Sequence, residues 1–226
     1  MLNELKKNEL ISIIMPVKDG TNYMYEAIEG IRKQNMNIEI IVVDDASGDN
    51  TAEIAQRMGC KVIINPANMG STIARNIGLK AADGEFILFH DHDDVMNYNA
   101  LRKMYDSFDA DTQVVIAKVK DFFSPELTEV EKKKVSIKED AYYGLLTGAT
   151  LIRKGVFDIV GGFDESLKSV QGVELQMRFE KFSVKIKKID VVATSRRIHS
   201  RNFGRTNQQQ QLEDQLKILR SKLRGK

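Results

Sequence analysis

The chain has 226 residues and a mass of 25.6 kDa, room for one large α/β domain or two small ones. With 42% hydrophobic and 29% charged residues, three prolines and a single cysteine, it excludes collagen-like, disulfide-framework and disordered classes. The formal charge of +2, from 34 Lys plus Arg against 32 Asp plus Glu, gives no reason to expect a nucleic-acid partner.

Cys60 has no partner for a disulfide, which suits a reducing compartment. The apolar runs, such as 38–43, fall far short of the roughly 20 residues needed to span a bilayer. MLNELKKNEL lacks the apolar core of a signal peptide. A cytoplasmic protein is expected.

From residue 10 short β-branched runs alternate with helical periodicity. Residues 11–15 read as a buried strand stopped by Pro16, and Met24, Ile28 and Ile31 share one helical face. Residues 38–43 form a second, nearly all-apolar strand, the pattern of a parallel strand covered on both faces. Asp49, Asn50 and Thr51 offer N-cap chemistry to a helix carrying Ile54, Ala55 and Met58. Residues 61–64 are a third strand, Ile73 and Ile77 mark a helix over 71–81, and 85–89 are a fourth strand. This succession predicts an α/β fold with a mostly parallel central sheet flanked by helices.

Beyond residue 95 the rhythm loosens. A helix is expected over 98–107, a strand at 114–117, an exposed charged excursion over 124–140 and a last strand over 184–192. Thr147–Gly148, Gly155 and Gly161–Gly162 suggest tight turns or close ligand approach. The tail is basic: Arg196, Arg197, Arg201, Arg205, Lys217, Arg220, Lys222, Arg224 and Lys226 face only Glu213 and Asp214. Leu212, Leu216, Leu219 and Leu223 stripe its terminal helix, which would dock on its own domain or a second subunit, or lie on an anionic membrane surface.

Open α/β sheets bind ligands beyond the C-terminal ends of their strands. Two acidic clusters occupy that edge: Asp44–Asp45 after the second strand and Asp91-His92-Asp93-Asp94 after the fourth. Carboxylates packed there repel one another unless a cation or ligand offsets the charge, and hard oxygen donors suit Mg²⁺ or Mn²⁺. The alternative is a set of turns and caps, where Asp is common. Neither G-x-x-x-x-G-K nor G-x-G-x-x-G is present, so a bound diphosphate would rely on metal and basic side chains, Arg75 among them.

With these residues in view, the chain resembles a family 2 glycosyltransferase with the GT-A fold, a Rossmann-like nucleotide-diphospho-sugar transferase domain. "ISIIMPVKDG" is similar to that family's opening strand and turn, "IEIIVVDDASGDNT" to its second-strand motif, "NMGSTIARNIGLKAADGEFILFHDHDD" to its helix and D-x-D-D segment, and "TGATLIRKGVFDIVGGFDESL" to its acceptor-side block. The resemblance implies a domain over 10–200, with a nucleotide-binding half (10–95) and an acceptor-binding half (96–200). Residues 1–9 would be an extension and 201–226 a basic tail.

It further implies that Asp45 accepts the N3–H of a uracil-like base, that Pro16 and Val17 shape the base pocket, and that Asp91 lies near the ribose. Arg75 would hold base or phosphates, with His92 at the variable position of D-x-D-D. Asp93 would ligate Mn²⁺ or Mg²⁺, and His199 resembles the late metal ligand of some GT-A enzymes. Arg196, Arg197 and Arg201 would close over the diphosphate or form a solvated strand edge. Such enzymes usually invert the anomeric carbon in one displacement, with a general base on the acceptor hydroxyl. The family's E-D-x-E/D-L-x-x-R motif corresponds to residues 171–178, but Gln171 and Gly172 stand where Glu-Asp is expected. Glu174 is the nearest surviving carboxylate, and Asp164 or Glu165 could also reach the site.

The expected partners are a nucleotide-diphospho-sugar, UDP-linked by preference, and a glycan, lipid-linked or protein acceptor. A non-catalytic sugar-nucleotide-binding module is the alternative. A sugar-1-phosphate nucleotidyltransferase would need a Gly-rich phosphate loop that "MPVKDG" does not supply.

Overall fold

In a computed structural model of the chain, residues 9–135, 137–144, 148–200, 202 and 208–224 are described. The β-branched runs become β1 (Ile11–Val17), β2 (Ile38–Asp44) and β3 (Lys61–Ile64), with β4 at Phe86–Phe89. Every residue of β1 is buried, which explains its missing polar alternation: helices cover both faces. Between these strands lie α1 (Met24–Arg32), α2 (Thr51–Arg57) and α3 (Ser71–Ala81). The strands pair in parallel in the order β3-β2-β1-β4.

The second half turns the sheet mixed. After β5 (Val95–Met96) and α4 (Ala100–Asp106) come β6 (Val114–Phe123), α5 (Glu129–Lys133), β7 (Tyr142–Tyr143) and β8 (Thr150–Arg153). Then follow α6 (Val156–Val160), α7 (Gln171–Lys181), β9 (Ile186–Ile198) and α8 (Gln208–Arg224). β8 lies antiparallel between β4 and β6, β9 runs parallel to β6, β5 closes the far edge antiparallel to β9, and β7 pairs with β6. One core, with Ile13, Met15, Val42 and Leu88, packs against α1 and α4. The other, with Ile14, Ile41, Val43 and Phe89, packs against α3, α6 and α7.

Three details depart from the sequence reading. β1 continues through Pro16 to Val17, because β4 accompanies β1 only as far as Ile14 and the missing N–H falls where β2 alone remains. β6 and β9 run to residues 123 and 198, well past the expected ends. The excursion after β6 contains α5, started by a capping box between Thr128 and Glu131.

α8 docks on its own domain. The fully buried carboxylate of Asp214 accepts from the N–H groups of Lys168 (2.9 Å) and Ser169 (2.8 Å) and from the Ser169 hydroxyl (2.9 Å). Ile218 is buried on the same side, while Leu212, Leu216 and Leu219 remain exposed. The Leu223 side chain lies outside the described residues, as do Thr147, Arg201 and Arg205.

Candidate functional site

At the C-terminal ends of β1 and β2, two turns interlock. Asp19 Oδ1 accepts the Gly48 N–H (2.8 Å), the Asp19 N–H donates to Ser47 Oγ (2.9 Å), and the Gly20 N–H donates to Thr51 Oγ1 (2.8 Å). Gly20 is required by space: a Cβ there would lie 2.3 Å from Val17 Cγ2 and 3.0 Å from Cδ2 of His92. Val17 accepts the Asp45 N–H through its carbonyl (2.8 Å), so Pro16, Val17, Asp45 and His92 gather around one edge. Asp44 caps its own turn, taking the Ser47 N–H at 2.8 Å.

Asp45 is engaged by the protein itself. Its Oδ1 accepts from Asn65 Nδ2 (2.8 Å) and the Met69 N–H (2.8 Å), and its Oδ2 from the Gly70 N–H (2.7 Å). The carboxylate thereby fixes the chain entering α3. One turn into that helix, buried Arg75 reaches back to Asp91 Oδ1 at 2.8 Å. Its Nε is buried and has no hydrogen-bond partner.

Asp93 meets the two late residues. Its Oδ2 lies 2.9 Å from His199 Nε2 and 3.4 Å from Asn202 Nδ2. Burial would raise the Asp93 carboxyl, but the His199 hydrogen bond and the neighbouring His92 and His199 bring it below the usual range. Asp94 goes the other way: burial and the charges of Asp93 and Asp91 push it well above the ordinary carboxylate value. His90 is fully buried, which lowers its pKa. Its Nδ1 faces the Asp91 carbonyl at 2.8 Å, so the neutral ring donates there.

The Asp93 carboxylate and the His199 ring nitrogen form a hard-plus-borderline donor pair that suits Mn²⁺ or Mg²⁺. No group of three or more His, Cys, Asp or Glu side chains able to hold a metal occurs among the described residues.

The acceptor-side block meets the same helix from its other flank. Asn76 donates to the Phe163 carbonyl and to Glu165 Oε1, both at 2.9 Å. Thr72 donates to the Leu167 carbonyl (2.6 Å) and accepts from Gln171 Nε2 (2.7 Å). α3 therefore carries Arg75 toward Asp91 and Thr72 and Asn76 toward residues 163–171. Glu174 is held by Arg178 through both oxygens, at 2.7 and 2.6 Å. Asp164 Oδ1 accepts the Ser166 N–H at 2.9 Å. Asp164, Glu174, Arg178 and Lys217 line a cleft of about 680 Å³ between α7 and α8, apart from the Asp45 and Asp93 carboxylates.

Arg197, open as a lid residue or a solvated strand edge, is 4% exposed, with its guanidinium carbon 4.9 and 4.8 Å from the ring centroids of Tyr23 and Phe122. Arg196 and Arg197, adjacent in β9, point to opposite faces of the strand. Arg196, on the other face, approaches Asp121 at 3.9 Å. The roles of Tyr23 and Asn202 leave no motif in the sequence, while Asn76 lies within the quoted helix segment beside Arg75.

Among the described residues no helix is long and apolar enough to cross a membrane. The family model for glycosyl transferase family 2 matches residues 12–163. The uncharacterized glycosyltransferase RP339 of Rickettsia prowazekii is 34% identical over 226 aligned positions, covering 91% of this chain and 70% of that protein. The minor teichoic acid biosynthesis protein GgaA of Bacillus subtilis is 30% identical, covering 70% of this chain and 40% of that one. The crystal structure of S. aureus TarS 1–349 superposes with a TM-score of 0.67 at 25% identity, over 83% of this chain and 60% of that one. The same protein in complex with UDP-GlcNAc gives 0.68 at 21% identity, over 85% and 59% of the two chains. The chain thus spans well under two thirds of GgaA and about three fifths of the TarS structure.

Proposed function

Because the chain belongs to glycosyl transferase family 2, we propose that it moves a sugar from a nucleotide-diphospho-sugar, UDP-linked by preference, to an acceptor hydroxyl at the carboxylate edge. The observation that carries this reading is the convergence on one turn: Arg75 on Asp91 from α3, and His199 on Asp93 from the end of β9. The Arg75 Nε, buried and uncommitted, is a donor suited to a phosphate or base oxygen. A carboxylate has about four lone-pair sites, so Asp45 keeps one for a base N–H beyond its three protein donors. That TarS has been solved with UDP-GlcNAc supports the choice of uridine.

Asp93 and His199 would hold Mn²⁺ or Mg²⁺. Such an ion supplies charge neutralisation of the diphosphate as the leaving group departs. A single inverting displacement needs a base on the acceptor hydroxyl; the candidates are Asp164, which accepts one N–H, and Glu174, whose two oxygens are held by Arg178, and either would have to reach the donor from the neighbouring α7–α8 cleft. Incubation with a panel of UDP-sugars, Mn²⁺ and candidate glycan, lipid-linked or protein acceptors should release UDP. Tight donor binding without turnover across the panel would favour the second reading, a sugar-nucleotide-binding module, which Gln171 and Gly172 in the base motif motivate.

A further inference from the structure

The D-x-D-D turn has an unusual task in this topology. β4 ends at Phe89 and β5 begins at Val95, yet in the sheet they are separated by β8, β6 and β9. Four ladder spacings of about 4.8 Å add to roughly 19 Å. Six residues reach at most about 20 Å when fully extended. The segment is not extended, because the Asp94 N–H turns back to the Asp91 carbonyl at 3.3 Å. The sheet therefore curls, and the turn crosses the gap. Its shape depends on what grips it at the far side.

Beyond the β5–β9 ladder, which pairs Val95 with Ser195 and Met96 with Thr194, one residue grips the turn itself at two points. The Arg197 backbone N–H donates to Asp94 Oδ1 (2.9 Å), and its Nε donates to the Asp93 carbonyl (2.9 Å). The far end of the guanidinium pairs with Glu26 of α1 and lies 3.5 Å from Ser124 Oγ. Its plane is fixed by Tyr23 and Phe122, with ring centroids 4.9 and 4.8 Å away. The same Tyr23 ring packs on His199 at 4.8 Å, and Asn202 joins the Arg197 carbonyl (3.2 Å) to Asp93 Oδ2. A buried cation thus holds the Asp93 backbone while its neighbours hold the Asp93 side chain.

We propose that Arg197 is a positioning residue that presets the Asp93–His199 pair for the diphosphate end of the donor, acting through the backbone of the turn. It touches no substrate. The proposal rests on the donor reading above and adds to it the part that aims Asp93. A lysine keeps the charge but cannot stack as a plane while donating along the chain to Asp93 and Glu26 at once.

The test compares wild type, Arg197→Lys and Phe108→Leu, a core change between α4 and β4 that controls for lost stability. Amide hydrogen exchange should quicken about 10-fold in residues 91–94 of Arg197→Lys and stay at the wild-type rate in those residues of Phe108→Leu, at matched melting temperature. Calorimetric affinity for UDP with Mn²⁺ should fall about 10- to 100-fold in Arg197→Lys alone, the size usual for loss of groups that orient ligating residues. Wild-type exchange over 91–94 in Arg197→Lys, or equal loss in both variants, overturns the proposal. A wild-type protein that binds no UDP sinks the donor reading instead, and the exchange comparison then decides the clamp by itself.

Discussion

The two ends of the site are built differently. At the proposed nucleotide edge the side chains are buried or nearly so and held by the protein: Asp45 by three donors, Asp93 by His199 and Asn202, Arg75 by Asp91. On the proposed acceptor side the carboxylates line an open cleft, with Asp164 exposed and Glu174 held by one arginine one turn along its own helix. A preset edge fixes charge before the ligand arrives and loses little to reorganisation. A looser wall can be remodelled for different acceptors on the same scaffold. α3 joins the two, since successive positions of one helix serve opposite partners.

The largest expected effect breaks the rigid end. Asp93→Ala should abolish Mn²⁺-dependent UDP binding, at least a 100-fold loss by calorimetry; unchanged affinity would remove Asp93 from the donor site. On the open end, Asp164→Asn should cut turnover by roughly 10²-fold or more with UDP affinity intact, as expected for a lost general base. Glu174→Gln should cost less, because Arg178 occupies both of its oxygens. The reverse order of the two variants would place the base on Glu174.

The same contrast explains what the sequence discloses. The parallel strands and both acidic clusters are legible because each is contiguous: an apolar run followed at once by Asp residues. The partners are not. Asp45 is engaged by residues 20 to 25 positions later, and Asp93 by residues more than a hundred positions away. Arg197, in a run of basic residues, reads as solvated until β9 is seen to carry it beneath Tyr23. Likewise the missing Glu-Asp at 171–172 is plain in the sequence, but only the fold shows Gln171 spent on Thr72.

A smaller effect sharpens the comparison through packing. Gly20→Ala places a methyl 2.3 Å from Val17 Cγ2, against a β-branched side chain with little rotamer freedom. Overpacking of this kind costs about 1–3 kcal/mol. Thermal unfolding should show that loss together with weaker UDP binding, since the β1 turn and His92 must shift; a wild-type melting temperature would mean the turn is softer than its hydrogen bonds suggest.

Asp214 extends the rigid style to the tail, and its pH response can be signed. Burial would raise its carboxyl, but the Ser169 N–H and hydroxyl, Lys217 and the Lys168 N–H bring it below the ordinary value. A carboxylate whose folded pKa is depressed adds stability above its unfolded pKa, about 3.9, and loses it as pH falls through the folded value. Asp214→Asn should therefore lower stability by about 1–3 kcal/mol at neutral pH, the cost of buried donors left poorly matched. The gap between variant and wild type should stay constant down to about pH 5 and narrow below pH 4, followed by thermal unfolding across that range. A gap independent of pH would mean that α8 is held by Ile218 and its apolar neighbours rather than by the charge.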